Sequence, residues 1–519
     1  MIKDRFTFID LFSGIGGVHL ALNNIGGNCL GFSEINKDAI STYCKNFKES
    51  ETSNFGDITK IDSLPKHDLL TGGVPCQSWS IAGKNLGFDD DRGQLWNDTI
   101  YLLNKTRPKA FIFENVKGLS DPRNADALSY ILKRIKDAGY FANYYLLNSY
   151  DYGVPQNRIR IYIVGFLERF YADKFKLPKP IDEKIKLKNI LIDVESSNNC
   201  NNSNLVQKDL FGKIIQSRKM SLSQNNGFND YFLFNDIRNG HSTIHSWDII
   251  NTTKRQKEIC YLLLRNRRKS AYGELDGNPL SLQHFKSLDS TITEDELNEL
   301  VKLEIFKTEE YSFIINAVDK SLLNEDETII LECTKENKLN IDTLKSNKTI
   351  KLKHIPVLKY IETLKLKNCI TCIEIRYEFK NTKISTGLNG ISRIFLPKST
   401  IFPTLVASDT NDFIALKDID AKNEEDFKNE FLQEIFIKKL FRKITQKEAC
   451  LIQGFPENFK LPDNRARWMK LIGNSVSVPV VQMLGKAIID TGVFDIVEES
   501  IDIQNTNCNK SISVLSTFC

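Results

Sequence analysis

The chain has 519 residues, more than one folding core usually contains, so its length predicts two or three domains. Hydrophobic residues make up 41% and charged residues 26%, as in ordinary globular proteins. The formal net charge of +4 is too small for composition alone to indicate a nucleic-acid partner. We find no apolar run of membrane-spanning length and no apolar signal core, so we expect neither membrane insertion nor secretion.

The first predicted element is a strand over residues 6–12, followed by a glycine-rich turn at residues 13–17 and an apolar helix. Such a turn brings a ligand close to the backbone and to the free N–H groups of the helix. The spacing is not the dinucleotide pattern GxGxxG, because His19 stands where the third glycine would fall. This signal alone is weak.

Two further β-α units place acidic residues at strand ends. The strand predicted over residues 29–32 leads to Glu34, and the third unit contains Gly56 and Asp57. Glu34 is suited to bind ribose hydroxyls, or it is simply a solvated carboxylate. The three units together predict a crevice that binds a nucleoside.

A single cysteine follows the next apolar run, in the stretch GGVPCQSWS at residues 72–80. The glycines permit a tight turn, and Pro75 fixes the backbone just before Cys76. Open α/β sheets carry their chemistry at the carboxyl ends of strands, so Cys76 is a candidate nucleophile. The alternative is a small buried thiol.

Beyond Cys76 we predict a helix from about Arg92 to Leu103 and a buried strand over residues 110–113. Glu114 comes just after this strand, where desolvation favours a proton-donating carboxyl, although it could also cap the next helix. Strands are predicted over residues 142–149 and 160–166. Arg158 and Arg160, two positions apart, are predicted to share one strand face and grip a phosphate and a base carbonyl, unless they are ordinary surface charge.

The middle of the chain is patterned differently. Residues 196–204 are of low complexity and predict a loop or linker. Helical spacing over residues 259–269, a capping box at Thr293 and Glu296, and strand-like segments at 303–306 and 311–315 predict two helices and a hairpin, as in a winged helix. Cys369 and Cys372 have CxxC spacing without a second pair, so we interpret them as strand residues and predict no metal site.

The chain then returns to regular apolar patterning. Thr445 and Glu448 form a capping box that opens a helix ending near Gly454, and a further helix begins within residues 471–479. The scattered 11 cysteines are typical of reduced thiols, which predicts a cytoplasmic protein.

Six motifs occur in one order along the chain: DLFSGIGG (residues 10–17), PCQ (75–77), ENV (114–116), QNRIR (156–160), QGFP (453–456) and GNSV (473–476). With them the sequence resembles the cytosine carbon-5 DNA methyltransferases of bacterial restriction–modification systems. The stretch FPTLVAS (402–408) is a further family-like piece.

The resemblance implies a doubly wound, mostly parallel, Rossmann-like α/β sheet that binds S-adenosylmethionine, with an inserted target-recognition domain of mixed α and β structure. It implies a catalytic domain at residues 1–178 and 442–498, a recognition domain at 179–441 with a winged-helix-like insert near 252–316, and a polar tail at 499–519. The implied cofactor contacts are Phe12, Gly14, Gly16, Glu34, Ile35, Asp57, Ile58, Gly73, Pro75, Leu95, Asn474, Ser475 and Val476.

The resemblance also implies catalytic roles. Cys76 would add to carbon 6 of a flipped cytosine, Glu114 would protonate ring N3, and Arg160 would hold the O2 carbonyl. Arg158 would order the cysteine loop or bind phosphate. Gln77, Ser78 and Ser80 would contact the opened DNA strand.

DNA contacts in the middle region are predicted from charge. Arg265, Arg267, Arg268 and Lys269 would grip phosphates without sequence choice, whereas Arg393, after a glycine-rich loop, would read bases. The alternative is that both segments are ordinary solvated surface.

Three other functions share some of these features. A transfer-RNA cytosine methyltransferase would have the same motifs but no large middle domain. A non-catalytic DNA-binding relative would not need Cys76, Glu114 and Arg160, and a nicotinamide-dependent dehydrogenase would need an intact GxGxxG. We therefore predict a monomeric enzyme acting on double-stranded DNA, with a restriction endonuclease as a separately acting partner.

Overall fold

A computed structural model describes residues 5–47, 51–75, 91–194, 231–238, 240, 242–316, 323–333, 337–421 and 423–495. The predicted linker at 196–204, the polar tail at 499–519, and Cys76, Gln77, Ser78 and Ser80 lie outside these residues.

The strands in chain order are β1 Phe6–Leu11, β2 Gly27–Ser33, β3 Leu69–Gly73, β4 Ala110–Val116, β5 Phe141–Asn148, β6 Gln156–Asn157, β7 Ile159–Phe166, β8 Tyr231–Phe234, β9 Thr243–Ile244, β10 Leu280–Ser281, β11 Phe306–Ile315, β12 Lys338–Asn340, β13 Ile370–Phe379, β14 Arg393–Phe395, β15 Phe402–Pro403, β16 Asp412–Ala415 and β17 Phe441–Arg442.

The helices are α1 Gly17–Asn23, α2 Lys37–Phe47, α3 Asp91–Thr106, α4 Ala125–Asp137, α5 Arg169–Lys174, α6 Ser246–Ile249, α7 Lys254–Asn266, α8 Leu282–Leu288, α9 Glu294–Lys302, α10 Glu325–Glu332, α11 Ile341–Ser346, α12 Lys348–Leu352, α13 Val357–Leu366, α14 Glu424–Phe431, α15 Gln446–Gln453, α16 Arg465–Asn474 and α17 Val478–Ile489.

The chain divides into two compact units. The first consists of Met1–Leu147, Ile159–Pro180 and Val476–Cys519, and the second of Asn148–Arg158 and Ile181–Ser475. Residues 148–158 and 442–475 thus group with the middle region, whereas the sequence assigns them to the catalytic domain. The predicted domain boundaries remain functional predictions.

The first unit is built on a sheet with strand order β2-β1-β3-β4-β7-β5. β1 pairs in parallel with β2 and β3, β3 pairs in parallel with β4, and β7 is antiparallel to β4. Alternate side chains of β1 face opposite sides: Ile9 and Leu11 join a core with α3 and α4, while Phe8 packs against His19 of α1. The predicted mostly parallel α/β sheet is confirmed.

Two motif positions differ from the sequence prediction in this sheet. Gly72 and Gly73 are the last residues of β3 rather than a turn, and Glu114 lies inside β4. The predicted cap role of Glu114 is wrong, because Val116 is the N-cap residue of the next helical turn and makes no side-chain cap bond.

The second unit contains three sheets among its described residues, with orders β10-β13-β11-β12, β17-β16-β14-β8-β9 and β15-β6. The predicted hairpin near residue 310 is wrong. β11 is one continuous strand, and its antiparallel partner is β13, more than fifty residues later in the chain. Cys372 lies in β13, as predicted, whereas Cys369 lies one residue before that strand, so the strand prediction for Cys369 is wrong. Both are free thiols.

One helical stretch of the described chain, Arg465–Ile489, is long and apolar enough to cross a membrane by composition. However, 61% of its most apolar window is buried inside the protein, as is usual for core helices.

Candidate active site

The glycine-rich turn after β1 is held in left-handed backbone conformations. Phe12 has φ 51°, Gly14 φ 55° and Gly16 φ 86°. A Cβ at Gly16 would overlap the ring of Phe47, whereas a Cβ at Gly14 would meet no atom within 4 Å. A left-handed phenylalanine is strained, and such residues are often found at functional sites. The turn therefore leaves open space beside Gly14.

Glu34 closes over this turn and is not a solvated carboxylate. Its Oε2 accepts a hydrogen bond from the Gly14 N–H at 2.9 Å. Its Oε1 accepts from the N–H groups of Ile35 at 2.9 Å and Asn36 at 2.8 Å. Each carboxylate oxygen can accept more than one bond, so Glu34 can still receive hydroxyl donors.

The segment with Gly56 and Asp57 is a loop between β2 and β3, and the strand predicted before it is absent from the described residues. Asn54, which the sequence analysis missed, joins this loop to Glu34. Asn54 Oδ1 accepts from the N–H groups of Glu34 at 3.1 Å and Gly56 at 3.0 Å. Asn54 Nδ2 donates to the Glu34 carbonyl at 3.0 Å. Nothing in the local sequence marks this residue, because its partners come from two different loops.

Asp57 lies directly after this link. Its Oδ1 accepts from the N–H and the hydroxyl of Thr59, at 3.1 and 2.9 Å, and so caps a helical turn whose first residue, Ile58, is buried. Ser33 Oγ donates to the Gly56 carbonyl at 2.6 Å. The residues predicted to hold a nucleoside, Glu34, Asp57 and Ile58, are thus brought to neighbouring loops.

Two buried polar atoms near the turn have no hydrogen-bond partner among the described residues: Asp10 Oδ2 and Ser13 Oγ. Burial raises the pKa of Asp10 to about 7, although the hydrogen bond from the Thr71 hydroxyl opposes this shift. Buried polar atoms without a partner are unusual in folded proteins, and a bound polar ligand is one way to satisfy them.

Two catalytic candidates of the first unit, Glu114 and Arg160, lie on the neighbouring strands β4 and β7. Glu114 Oε1 and Arg160 Nε form an ion pair at 3.2 Å, and their side chains are only 14% and 15% exposed. A Cβ at Gly73 would lie 3.8 Å from Glu114 Oε2, so the carboxyl is beside the end of β3. Two residues after Gly73, Pro75 leads into Cys76.

Asn115 is a second residue that the sequence analysis did not assign. It is 1% exposed, and its Nδ2 donates to the Val74 carbonyl at 3.3 Å. Its Oδ1 accepts from the Val116 N–H at 2.7 Å. Asn115 therefore ties β4 to the chain that leads to Cys76.

Arg158 does not share a strand face with Arg160. It is 2% exposed, and its guanidinium donates to the carbonyls of Leu405 at 2.9 Å, Gly473 at 3.1 Å and Ser475 at 2.7 Å. A buried guanidinium held by three carbonyls cannot bind a DNA phosphate, so that prediction is wrong. The predicted contact with the cysteine loop involves residues outside the described chain.

The same part of the second unit joins four of the family-like stretches. β6 pairs with β15, Gln156 Nε2 donates to Gln453 Oε1 at 3.0 Å, and Gln453 Nε2 donates to the Ser475 carbonyl at 2.8 Å. Asn474 is exposed between the two carbonyls that Arg158 holds, and Val476 is buried in the first unit. Leu95 and Phe12 pack at the edge of the first unit's core.

Two residues predicted to contact DNA are engaged by carboxylates in the structure, and for Arg267 the prediction is wrong. Arg267 is 4% exposed and forms an ion pair with Glu378 at 2.5 Å, so it cannot reach a phosphate. Arg393 lies on β14, and Asp412 binds its Nε and one terminal nitrogen at 2.7 and 2.8 Å. This bidentate pair engages one edge of the guanidinium, whose side chain is 26% exposed, and base reading by Arg393 stays a prediction.

The other three cations of the predicted phosphate-binding cluster around Arg267 are exposed. Arg265 stacks over Tyr261, and Arg268 lies 3.4 Å from Asp276 with 59% of its side chain exposed. Lys269 is also exposed. Contact of these three residues with DNA stays a prediction.

Comparison with known proteins accounts for these arrangements. Residues 6–490 match the family model described as C-5 cytosine-specific DNA methylase. The chain is 41% identical over 485 residues to the Type II methyltransferase M.HgiBI of Herpetosiphon aurantiacus, covering 93% of this chain and 97% of that protein. It is 30% identical over 497 residues to the Type II methyltransferase M.BanI of Aneurinibacillus aneurinilyticus, covering 92% and 94%.

Because these matches cover more than nine-tenths of the chain, they include most of the middle region as well as the motifs. The resemblance noted in the sequence is thereby confirmed: this chain belongs to the C-5 cytosine-specific DNA methylase family.

Proposed function

We propose that this DNA methyltransferase transfers a methyl group from S-adenosylmethionine to carbon 5 of a flipped cytosine in a specific duplex sequence. The observation that carries the proposal is the Glu114–Arg160 pair, which lies beside the end of β3 at Gly73. In the sequence, Pro75 and Cys76 follow two and three residues after Gly73. From the Type II names of the relatives we infer a role in protecting host DNA from a cognate endonuclease. We propose further that the enzyme acts in the cytoplasm as a monomer.

The residues present fit S-adenosylmethionine. Glu34 would take the ribose hydroxyls, Asp57 and Ile58 would bind the adenine edge, and the open space at Gly14 would admit the methionine part. Asp10 Oδ2 and Ser13 Oγ offer polar atoms that the described protein does not satisfy. When bound, this cofactor supplies an electrophilic methyl group.

The protein's part is to make carbon 5 of cytosine nucleophilic. The Cys76 thiolate forms a bond to carbon 6, and the carboxyl of Glu114 gives its proton to N3, so that the ring becomes an enamine. Arg160 holds the O2 carbonyl while charge develops. After carbon 5 has received the methyl group, its proton leaves to a base and the bond between sulfur and carbon 6 breaks. The N3 proton returns to Glu114, which restores the ring and the carboxyl. A stacked base cannot undergo this chemistry, so the cytosine must leave the duplex.

Recognition of the target sequence is assigned to residues 179–441. Its mixed α and β structure and its position between the motifs support this role. Incorporation of labelled methyl groups into duplex DNA and into transfer RNA tests the substrate. Transfer to RNA alone would overturn the proposal.

Replacing Glu114 with glutamine is expected to lower kcat by about 100- to 10,000-fold, because a neutral amide cannot deliver a proton to N3. Affinity for DNA should change by less than about threefold, since hydrogen bonding from Arg160 to the side-chain oxygen is retained. Single-turnover methylation and equilibrium binding would be measured on one DNA. If kcat and the affinity for DNA fell by the same factor, Glu114 would be a structural residue instead.

Asn54 is proposed as a positioning residue for the cofactor. Asn54→Ala removes three hydrogen bonds that hold the loops of Glu34 and Asp57 together, so the Kd for S-adenosylmethionine should rise about tenfold. Asn54→Asp keeps both acceptor bonds and loses only the donor, so its effect should be smaller.

The control for the Asn54 variants is the value of kcat. At saturating cofactor and DNA, kcat should stay within about twofold of the native value, because Asn54 acts on binding and not on the reacting ring. A lowered kcat with unchanged cofactor affinity would contradict this role.

A further inference from the structure

A strongly basic segment lies in the second unit between the paired strands β11 and β13. Residues 338–367, from β12 to just beyond α13, contain eight lysines and His354 but only two acidic residues, Asp342 and Glu362. Most of this charge comes from α11, α12, α13 and the turns between them. The chain's overall charge of +4 is therefore distributed very unevenly.

Three of these lysines are neutralised by carboxylates of neighbouring elements. Lys353 pairs with Glu325 at 2.6 Å, Lys365 with Glu310 at 2.6 Å and Lys367 with Glu327 at 2.7 Å. These pairs neutralise Glu310, Glu325 and Glu327 beside the segment.

The other lysines differ from these three. Lys338, Lys345, Lys348, Lys351 and Lys359 form no ion pair with any residue that the structure describes. Lys345, Lys351 and Lys359 line a single cavity of about 540 Å³ together with His354. The rest of the lining is apolar, with Ile350, Ile355, Pro356, Val357 and Leu358, and no acidic side chain is among the lining residues.

Several unneutralised ammonium groups around one concave surface form an anion site, and lysine is a common phosphate ligand. The rest of the lining is apolar, which suits the aliphatic stems of lysine side chains. Leu358 in the lining and Leu352 nearby in sequence, 59% and 81% exposed, add apolar surface that could lie against sugars. A polyanion with sugars between its phosphates fits both features.

We propose that this basic cavity, formed by Lys345, Lys351, His354 and Lys359, binds the phosphate backbone of the substrate DNA. The inference rests on the DNA methyltransferase function and adds a surface that supplies affinity without sequence choice. The cavity takes the role of phosphate contact that the sequence had assigned to Arg267, because Arg267 is buried in its ion pair with Glu378.

Other surfaces near this segment are unsuited to the same role. α9 and α10 both begin with three acidic residues, Glu294, Asp295 and Glu296 in α9 and Glu325, Asp326 and Glu327 in α10. Carboxylates repel phosphates, so a winged-helix type of contact through the start of α9 is disfavoured. No acidic side chain of the described chain lines the lysine cavity, so this repulsion is absent there.

The test uses the full-length protein with Lys345→Gln, Lys351→Gln and Lys359→Gln combined. The matched control combines Lys66→Gln, Lys133→Gln and Lys136→Gln, which removes the same charge from exposed lysines of the first unit. Binding of unmethylated duplex DNA of random sequence would be measured between about 50 and 200 mM salt.

The cavity variant should bind about tenfold or more weakly at the lowest salt, and the slope of log K against log salt should flatten by up to about 0.9 for each lost contact. Methylation of saturating DNA at low salt should remain within about twofold of the native rate, and the control variant should match the native protein in both binding and slope. An unchanged slope in the cavity variant, or an equal change in the control, would overturn the proposal.

A second arm separates DNA from a free phosphate ligand. Pyrophosphate and a nucleoside triphosphate would be titrated into the native and cavity variants by calorimetry. If either bound the native protein and lost binding in the variant, with the DNA slope unchanged, the cavity would be a site for a free phosphate compound and the DNA assignment would fail. Failure of the native protein to methylate DNA would count against the function and not against this surface.

Discussion

Replacing Cys76 with serine is expected to lower methyl transfer at least about 1000-fold, because the side chain loses its nucleophile. A thiol has a pKa of about 8.5, whereas a hydroxyl ionises far above neutral pH and cannot add to carbon 6. Binding of S-adenosylmethionine should be retained, since Cys76 is assigned no part in holding it. Methyl transfer and cofactor binding would be measured on the same preparation.

A covalent adduct provides the direct readout for Cys76. DNA with 5-fluorocytosine at the target should trap the native enzyme on denaturing gels, because fluorine cannot leave as a cation after methylation. Cys76→Ala should form no adduct. Cys372→Ser, at a partly exposed free thiol on β13, is the matched control and should form it normally. An adduct with Cys76→Ala would disprove the nucleophile.

Replacing Arg267 with alanine is expected to destabilise the protein by about 3–5 kcal/mol, the usual cost of removing one partner from a buried ion pair. The side chains of Arg267 and Glu378 are each only 5% exposed. The Arg267 guanidinium also lies over the ring of Phe379. Burial raises the pKa of Glu378 even with Arg267 present, so loss of the arginine would leave a poorly solvated carboxyl. Denaturant unfolding monitored in the second unit would measure the change.

Arg268→Ala is the control for this prediction, since Arg268 is the next residue and 59% of its side chain is exposed. It should change stability by less than about 0.5 kcal/mol. If Arg267→Ala instead left stability unchanged and weakened binding to all DNA alike, the original assignment of Arg267 to phosphate contact would be restored.

The elements that were predicted well depend on local chemistry. Thr445 and Glu448 form the predicted capping box of α15, and Gly454 ends that helix with φ 88°. Thr293 and Glu296 do the same at the start of α9. In each case the partners lie three residues apart, so a short stretch of sequence contains the whole interaction.

The prediction of a hairpin near residue 310 was wrong because the strand partner lies far away in the sequence. The segment 311–315 is extended as predicted, whereas residues 303–305 form a turn before β11. The pattern also does not say which strand will be the partner. β11 is antiparallel to β13, and the intervening chain forms β12 and α10–α13. Strand pairing is decided by which apolar faces meet in the folded unit.

The sequence by itself determined the family, the order of the motifs and the residue types needed for methyl transfer, because spacing and residue identity record these. Only the tertiary structure decided which charged side chains are accessible to DNA. Arg267 and Glu378 are 111 positions apart, and Arg158 binds the carbonyls of Leu405, Gly473 and Ser475 from more than two hundred positions away. Lys345, Lys351 and Lys359 have no such partner among the described residues. A charged side chain is free or buried according to what packs around it, and that depends on distant parts of the chain.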